Sequence, residues 1–570
     1  MSMHIDIVPN RASTPTILLR ESYREGNKVR KRTLANLSSL SMDKVEMIRK
    51  VLRGDALVPV NDLFENVSSV HHGHVQAVHA AMKRLDMDKL IGSRPSRERD
   101  LVLAMVAARI LDPDSKLATT RWWKDTTLPE VFKVTGAGED ELYAAMDWLH
   151  DRQGIIEKKL ATRYLQEGGL VLYDLSSSYF EGTHCPLAYR GYDRDGKKGK
   201  LQVNYGLLTS HLGIPVAISV FNGNTSDPKT VTEQVAKVRG DFGIAEMVLV
   251  GDRGMISQGH IDNFRNEEGI GWITALKSVS IRKLISNDSL PLGRFDEKNL
   301  FEFTHSDYPG ERLIACKNHD LAKLRGHKRE SLLDATIVEL NKIKKSVDSG
   351  RLKDKEKIGV RVGKIINKYK MSKHIELEIK DSGISWTVKE ENVNKERSLD
   401  GIYIIRTSVS CDNMNSDEAV RCYKSLSQVE RAFRSMKSID LEVRPIYHHL
   451  ENRVRAHLFL CMLSYYVKWH MMEAWRPLIF ADEDKEAKRT RDPVASAKRS
   501  AKALQKVATK KLEDGTEVHS FQTLLKRLTT IVRNVCRYKN SGEKAPTFTL
   551  DTIPSKEQQR AFDLIETIRM

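Results

Sequence analysis

Alternating apolar and polar residues open the chain and then give way to helical spacing. Residues 16–38 alternate on either side of Glu25-Gly26-Asn27, which predicts a β-hairpin with a glycine turn. From about residue 42 to 165, apolar residues recur every three or four positions, as on one face of a helix. We therefore expect residues 1–40 to form a β-hairpin segment and residues 41–165 to form an all-helical domain.

At Gly168 the pattern changes to short apolar runs that are typical of buried strands. LQVNYGLLTS and IPVAISVF are expected to pair in antiparallel fashion through a turn at His211-Leu212-Gly213. The order along the chain is three strands, a helix, a strand, a helix and a strand, and it predicts a mixed sheet covered by helices. Two of the predicted strands, in GGLVLYD and EMVLVGD, end in aspartate.

Residues 278–400 interrupt this regularity with short predicted strands and basic helices, and the apolar strand DGIYIIRT follows them. We interpret the segment as an insertion, so the sheet domain would comprise residues 166–277 and 401–475. Residues 476–570 would form a basic, partly mobile helical C-terminal region. The predicted fold class is α/β: a mixed sheet with helices, interrupted by a mixed β/α insertion and flanked by helical regions.

Charge makes nucleic acid the first partner to consider. The 570 residues carry a net charge of +17, enough to attract polyanions and to bind them through counterion release. A solvated lysine surface without a partner is the alternative. Lys and Arg side chains of the helical domain 41–165 could contact DNA phosphates, although surface lysine is also the default outer face of a helix. We favour a DNA-binding domain there because of the candidate chemistry described below.

The cysteines and the apolar stretches exclude several other classes. The six cysteines lie far apart, with no zinc-ligand spacing, and are expected to be reduced thiols in a cytoplasmic protein. The N-terminus lacks the apolar core of a signal peptide, and the longest apolar stretches are too short to span a bilayer. We therefore expect no membrane or export role.

Three acidic residues, Asp174, Asp252 and Glu430, are the candidates for chemistry. Each aspartate ends an apolar strand, and Glu430 lies in a long predicted helix that begins at about Ser416. Such carboxylates can hold two Mg²⁺ or Mn²⁺ ions about 4 Å apart, the arrangement used for phosphodiester chemistry. Strand-end aspartates are also common turn formers, which is the alternative for each of them.

The helix around Glu430 carries further polar groups. Tyr423, Glu430 and Lys437 lie seven residues apart and so share one stripe of a helix, with Phe433 on the same side. The stripe offers a phenol, a metal ligand and an ammonium suited to phosphate, although charged helix faces are usually just solvated. Arg253 directly follows the second aspartate and is a candidate phosphate contact, with an ion pair as the alternative.

Four motifs together identify a family. VLYDLSSSYFEG, the passage from GYDRDGKKGK to FNGNTSD, MVLVGDRGMIS and YKSLSQVERAFRSMK resemble bacterial insertion-sequence transposases of the DDE type. The subgroup has a Tyr-Arg-Glu-Lys signature and a β-rich insertion before the catalytic Glu. The resemblance covers residues 10–470 and assigns the catalytic triad and metal ligands to Asp174, Asp252 and Glu430. Tyr423 and Lys437 match the signature.

One position departs from the signature, because Leu426 stands where its Arg belongs. Lys424, Arg431 or Arg434 could supply the missing phosphate contact. The resemblance also implies that a base is stacked on an aromatic side chain of the insertion. Trp272 and Trp386 are the candidates, with a place in the core as the alternative for each.

The resemblance implies a ribonuclease-H-like fold and the activity of a transposase. DNA would be cut at the terminal inverted repeats of the element and joined to target DNA, with a homodimer holding two ends. The expected location is the bacterial cytoplasm, associated with the nucleoid. A hydrolytic nuclease of the same fold and a transposase-derived, non-catalytic DNA-binding regulator remain as alternatives.

Overall fold

The computed structural model describes residues 2–11, 13–55, 63–287, 295–484, 486, 491–539, 542 and 544–569. Part of the predicted insertion, 288–294, and part of the predicted C-terminal region, 485 and 487–490, lie outside these residues. The chain forms two compact units: Met1–Val70 with Val532–Thr552, and His71–Ile531 with Ile553–Met570. No helix in the described ranges is long and apolar enough to cross a membrane.

Strands and helices both occur along the chain, and consecutive helices occupy residues 73–164. The strands are β1 (Ser2–Val8), β2 (Thr16–Glu25), β3 (Lys28–Asn36), β4 (Phe64–His71), β5 (Gly169–Tyr179), β6 (Gln202–Ser210), β7 (Pro215–Asn222), β8 (Met247–Val250), β9 (Ile270–Ala275), β10 (Leu300–Phe303), β11 (Arg312–Lys317), β12 (Ile375–Lys380), β13 (Gly383–Val388), β14 (Ile402–Thr407), β15 (Val532–Tyr538) and β16 (Phe548–Asp551). The helices are α1 (Met42–Leu52), α2 (Gly73–Arg84), α3 (Met87–Ile91), α4 (Arg97–Leu111), α5 (Lys116–Trp122), α6 (Leu128–Val131), α7 (Glu139–Asp151), α8 (Gln153–Tyr164), α9 (Asp227–Ala236), α10 (Gln258–Arg265), α11 (Ser278–Ser286), α12 (His319–Asp348), α13 (Lys355–Tyr369), α14 (Glu390–Arg397), α15 (Ser416–Lys424), α16 (Leu426–Arg434), α17 (Glu451–Ala474), α18 (Ala501–Thr509), α19 (Phe521–Leu528) and α20 (Lys556–Glu566).

The smaller unit contains the N-terminal hairpin. β2 and β3 pair in antiparallel fashion across a turn in which Gly26 has φ +66°, so the predicted hairpin is confirmed. β1 adds a third strand to this sheet. A second sheet has the order β16-β15-β4. Its strand β15 occupies a segment predicted to be helical, because the β-branched run that follows Leu528 favours extended backbone.

The larger unit is built on one mixed sheet with the order β10-β11-β14-β9-β8-β5-β6-β7. β5, β6 and β7 are antiparallel neighbours, whereas β5, β8 and β9 run parallel. This is the mixed α/β sheet that the sequence predicted. Strands β10 and β11 also belong to it, although they fall inside the predicted insertion.

The segment between β11 and β14 contains both helices and a β-hairpin, as expected for the mixed β/α insertion, and helices make up most of it. The helix α12 is 30 residues long, α13 is 15 residues long, and β12 and β13 form the hairpin of this segment. These elements share a separate apolar core, which includes Leu340, Ile358, Val362, Ile375 and Ile384.

One continuous core joins the helical region 73–164 to the sheet, and α17 runs through it. The C-terminal helices pack onto the same core: Leu524, Leu528 and Ile565 are buried. Trp475 Nε1 donates to the carbonyl of Ala561 at 2.9 Å. The predicted basic appendage is thus a packed part of the fold, because its amphipathic helices bury their apolar faces. The division into the predicted domains stays a prediction.

Candidate active site

Asp174 lies in the middle of β5 and not at a strand end, as the sequence indicated. The strand continues to Tyr179 because β6 pairs with it from Val171 to Tyr179. The serines after Asp174 are buried, and Ser178 Oγ and Tyr205 OH share a hydrogen bond of 2.8 Å. A serine run predicted to be a turn is therefore sheet, because its backbone pairs with β6.

Asp252 follows β8 at the same edge of the sheet. Leu172 of β5 is in register with Val250, the last residue of β8, so both aspartates lie two residues beyond this pair. The Asp252 side chain is exposed, and its Oδ1 accepts hydrogen bonds of 2.8 Å from the N–H groups of Gly254 and Met255. Asp252 thus also stabilises the turn that follows β8.

Glu430 is exposed on α16, which packs on β5 and on the turn between β6 and β7. Gly213 in that turn has φ +80°, and a Cβ there would lie 2.6 Å from Gln428 Cβ. Phe433 and Tyr205 form an edge-to-face pair with ring centroids 5.7 Å apart. These contacts fix the position of the helix that carries Glu430.

The long helix predicted from Ser416 is divided in the structure. α15 ends at Lys424, α16 begins at Leu426, and a π-helical turn occupies Ser435–Ile439. The Ser425 hydroxyl donates to the carbonyl of Cys422 at 2.5 Å, a local bond that competes with regular helix geometry.

Asp174 interacts electrostatically with Asp252 and with Glu430. Burial raises the pKa of Asp174 to about 7, and the charges of Asp252 and Glu430 raise it further, against opposing contributions from the Leu175 N–H and from Arg194. Like charges close together disfavour the ionised form. The charges of a turn residue and a helix residue therefore act on the Asp174 carboxylate in its strand.

Tyr423 belongs to the same neighbourhood. Burial raises the pKa of its phenol to about 12, and the charges of Asp252, Glu430 and Asp174 add to this, whereas Arg253 opposes it. Tyr423 and Glu430 thus remain neighbours across the junction of α15 and α16. A phenol and an arginine accompany the acids, as the sequence predicted.

The chemistry of these side chains fits a divalent cation, since one would offset the repulsion that raises the pKa of Asp174. The distances between these side chains, however, do not form a closed set of metal ligands in the described residues. In the part of the chain that the structure describes, no three Asp, Glu, His or Cys side chains are gathered closely enough to hold a metal ion. The metal-ligand roles of the three acids stay predictions.

The basic residues that were predicted to contact DNA phosphates occupy different environments. Arg253 and Arg434 are exposed. Lys437 is only 8% exposed, and its ammonium lies 2.9 Å from Asp195 Oδ1. Arg444 lies 2.5 Å from the same oxygen. Lys437 is therefore engaged inside the protein, and a phosphate contact would have to compete with Asp195.

Leu426, which stands in place of the arginine of the signature, also lies inside the protein. Leu426 is 9% exposed and packs in the main core, which explains an apolar residue at this place. Among the possible replacements, Lys424 Nζ donates to the carbonyl of Val494 at 3.2 Å. Arg431 and Arg434 are exposed on α16.

Neither tryptophan that was considered for base stacking presents a free ring. Trp272 is 3% exposed in β9, and its Nε1 donates to Glu311 at 3.3 Å. Trp386 is half-buried in β13 against the core of the insertion. These positions favour a structural role in the core for both tryptophans over base stacking.

Arg194 was not identified from the sequence. Its charge acts on Asp174, and it pairs with Asp227 at the start of α9. The adjacent Asp195 accepts a hydrogen bond of 3.1 Å from the Tyr179 N–H and holds Lys437 and Arg444. The alternation of charges in GYDRDG was a possible signal, since three charged residues in a short loop need partners.

Comparison with known proteins gives two family matches. Residues 168–467 match the transposase DDE domain, and residues 5–58 match the N-terminal domain of IS1634 family transposases. No curated protein matches the chain.

Solved structures give weaker likenesses. A piggyBac transposase synaptic complex with hairpin DNA has a TM-score of 0.33 and 9% identity, over 80% of this chain and 77% of that chain. A Mos1 transposase paired-end complex with the left transposon end has a TM-score of 0.14 and 11% identity, over 34% and 62%. The fold assignment rests on the sheet topology instead. Because the DDE domain match spans more than half of the chain, the protein belongs to the DDE transposases, enzymes that act on DNA.

Proposed function

We propose that this transposase cuts DNA at the ends of its insertion sequence and joins the freed 3′-hydroxyl to target DNA, with Asp174, Asp252 and Glu430 as its catalytic residues. The observation that carries the proposal is the placement of Asp174 and Asp252 at the same level of two adjacent parallel strands, together with the pKa of Asp174, which burial raises and which the charges of Asp252 and Glu430 raise further. Perturbed acids of this kind cluster at functional sites.

Two divalent ions, Mg²⁺ or Mn²⁺, held by the three carboxylates would stabilise charge on the phosphoryl oxygens and activate the attacking oxygen. The chain itself supplies the positions of the ligands. β5 fixes Asp174, the hydrogen-bonded turn fixes Asp252, and the packing of α16 on the turn at Gly213 fixes Glu430. Arg253 is exposed beside Asp252 and is suited to a DNA phosphate.

DNA is the proposed partner, both as terminal inverted repeats and as target. The net charge of +17 supports binding to a polyanion, and exposed Arg434 extends the basic character of α16 beyond Glu430. The helical region 41–165 is the proposed site of further DNA contact. A homodimer that holds two DNA ends and a cytoplasmic, nucleoid-associated location complete the proposal.

The test is cleavage of a DNA end by the variants Asp174→Asn, Asp252→Asn and Glu430→Gln. Each should lower Mg²⁺-dependent cleavage by more than about a hundredfold, because each removes a proposed metal ligand, while DNA affinity is kept. Glu268→Gln is the matched control, since Glu268 is exposed on a surface turn. Retained cleavage in any of the three variants contradicts the assignment.

The two alternative functions, a hydrolytic nuclease and a DNA-binding regulator, are distinguished from a transposase by their reaction products. A hydrolytic nuclease of this fold would give breaks in a target plasmid assay but no joined strands. A DNA-binding regulator would bind the inverted repeats with normal affinity and leave them uncut in both Mg²⁺ and Mn²⁺. The proposal requires cut ends and joined product from the same protein.

A further inference from the structure

The segment around α13 in the insertion is strongly basic. Residues 351–373 contain nine Lys or Arg and two acidic residues, a net charge of +7 in a chain whose total is +17. Asp354 caps the helix, and its Oδ1 accepts a hydrogen bond of 3.0 Å from the Glu356 N–H. The candidate active site uses none of these residues. The surface of α13 is therefore a charged patch whose role is separate from the three acids.

Four exposed cations of α13 lie on one side of the helix. They recur at intervals of four, three and four residues and form the basic stripe: Lys357, Arg361, Lys364 and Lys368. With 1.5 Å of rise and 100° of turn per residue, the stripe extends about 16 Å along the helix axis and about 60° around it. The positive charges are thus arranged in a line.

Packing on another face of α13 directs the basic stripe toward solvent. Ile358, Val362 and Ile366 are buried in the apolar core of the insertion, where α13 packs on α12. This core is separate from the core that holds the catalytic sheet. Changes at the ends of the stripe side chains should therefore leave both the helix and the three acids in place.

The basic stripe has few of the acidic partners that usually accompany exposed cations. On α12, Lys342 pairs with Glu339 at 2.6 Å, and Lys368 acts on the same carboxylate from farther away. Among the described residues, the stripe itself has one ion pair within 4 Å, between Lys357 and Asp354 at 3.9 Å. Most of the positive charge of the stripe is therefore not neutralised by the protein.

The cations of the stripe also repel one another. Lys364 and Lys368 are like charges four residues apart, an arrangement that destabilises a helix. Lys357 and Arg361 repeat it one turn and a half earlier. A solvated face gains nothing from this repulsion, whereas a bound polyanion offsets it. The stripe is therefore best explained by an anionic partner with charges in a line.

The geometry of the stripe indicates duplex DNA. Each strand of a duplex presents one phosphate per 3.4 Å of its axis, so a stripe of about 16 Å can follow about five phosphates. The stripe has no amide or hydroxyl group with which to read base edges, and contacts to phosphates alone carry no sequence information. Of the two DNA partners in the proposed function, the inverted repeats have a defined sequence. Contact that is independent of sequence suits target DNA.

We propose that the basic stripe of α13 binds the phosphate backbone of target DNA while the three acids act on the end of the insertion sequence. The inference rests on the proposed function, because it assigns one of the two proposed DNA partners to a surface of the insertion. Binding through phosphates releases counterions, so capture of target DNA should depend strongly on salt.

The experiment measures the joining of a pre-cut DNA end to target duplex of arbitrary sequence in Mg²⁺. The stripe variant replaces all four cations by glutamine, which favours helix and removes the repulsion: Lys357→Gln, Arg361→Gln, Lys364→Gln and Lys368→Gln. The target concentration for half-maximal joining should rise about tenfold or more. The slope of log affinity against log salt should fall by about three to four, since four phosphate contacts are lost. Joining at saturating target and cleavage of the end should stay as in wild type.

A control variant loses the same charge from the same insertion. It replaces four exposed lysines that each pair with an acid: Lys283→Gln, Lys342→Gln, Lys380→Gln and Lys395→Gln. It should capture target nearly as well as wild type. Equal losses in the two variants would overturn the docking surface, because net charge alone would then explain the effect.

The remaining outcomes separate this inference from the proposed function. A stripe variant that loses affinity for the DNA end instead of the target overturns the assignment to target DNA. A stripe variant that captures target with the wild-type salt slope overturns the docking surface, even if the protein cuts and joins DNA. The predicted loss of duplex binding in a protein that neither cuts nor joins DNA in Mg²⁺ or Mn²⁺ supports the surface and overturns the catalytic proposal.

Discussion

Asp174 within β5 and Asp252 just after β8 lie at the same level of two adjacent parallel strands, each two residues beyond the registered pair Leu172 and Val250. Parallel strands present equivalent positions at one edge of the sheet, so this register alone brings the two carboxylates together. Glu430 joins them from a helix. The sheet therefore accounts for two of the three proposed catalytic residues, and helix packing accounts for the third.

Removing the charge of Asp174 should stabilise the protein while it abolishes cleavage. The carboxylate is half-buried, and Asp252 and Glu430 repel it. Without divalent cation, Asp174→Asn should raise the free energy of unfolding by about 1–3 kcal/mol, because an amide carries no charge to desolvate. Denaturant unfolding with and without Mg²⁺ measures this.

Thermal unfolding of the same two proteins tests metal binding without an activity assay. Mg²⁺ should raise the Tm of the wild-type protein and raise that of Asp174→Asn less, since a ligand that binds the native state stabilises it. A variant that is less stable than wild type without divalent cation, or an equal response to Mg²⁺, would contradict the arrangement of charges described above.

The sequence predicted most of the strands of the catalytic sheet, because alternation and apolar runs are local signals. It failed where long-range pairing decides the structure. The serines after Asp174 have turn character by themselves, and only the pairing with β6 makes them a strand. Lys437 matched a signature, but its partner Asp195 is 242 residues away in sequence, beyond the reach of any local pattern. Arg194 was missed for the same reason.

Lys437 and Arg434 should respond differently to substitution, although both were predicted to contact DNA. Lys437 is buried against Asp195, which would be left with Arg444 and the Tyr179 N–H. Lys437→Met should lower the free energy of unfolding by about 1–3 kcal/mol, the cost of an incompletely paired buried charge. Chemical denaturation gives this value.

Arg434→Ala should leave stability unchanged within about 0.5 kcal/mol, because the side chain is exposed. It should weaken DNA binding and lower the salt slope of the binding constant by about one, as the loss of one phosphate contact predicts. Salt titration of DNA affinity tests this. An unchanged slope would remove Arg434 from the DNA interface.

Lys116 should make stability rise with pH. Burial lowers its pKa to about 7, and the charge of Arg109 lowers it further. The unfolded chain keeps the proton up to about pH 10.4, so between these values it binds more protons than the native state. Native stability therefore increases as pH rises from 7 toward 10, and the cost of the charged form is fully present below pH 7.

Lys116→Met isolates this effect. At pH 7 the variant should be the more stable protein, and its advantage should shrink by at most about 1.4 kcal/mol per pH unit toward pH 10. Other titrating groups contribute to both proteins, so the difference between the two unfolding curves reports Lys116. A difference that is constant from pH 7 to 9.5 would show that Lys116 keeps its ordinary pKa.

Gly213→Ala should reduce activity through the position of Glu430. The new Cβ would lie 2.6 Å from Gln428 Cβ and push α16 away from the sheet. A shift of about 1 Å at a catalytic group can cost about a hundredfold in rate. Gly243→Ala is the matched control, because Gly243 has φ +74° and no atom within 4 Å of a new Cβ. Both variants carry the same backbone strain of about 1–2 kcal/mol, and the clash with Gln428 adds to the stability that Gly213→Ala loses. Cleavage rates at saturating DNA separate them: only Gly213→Ala should be slow, and equal rates would mean that the turn does not position Glu430.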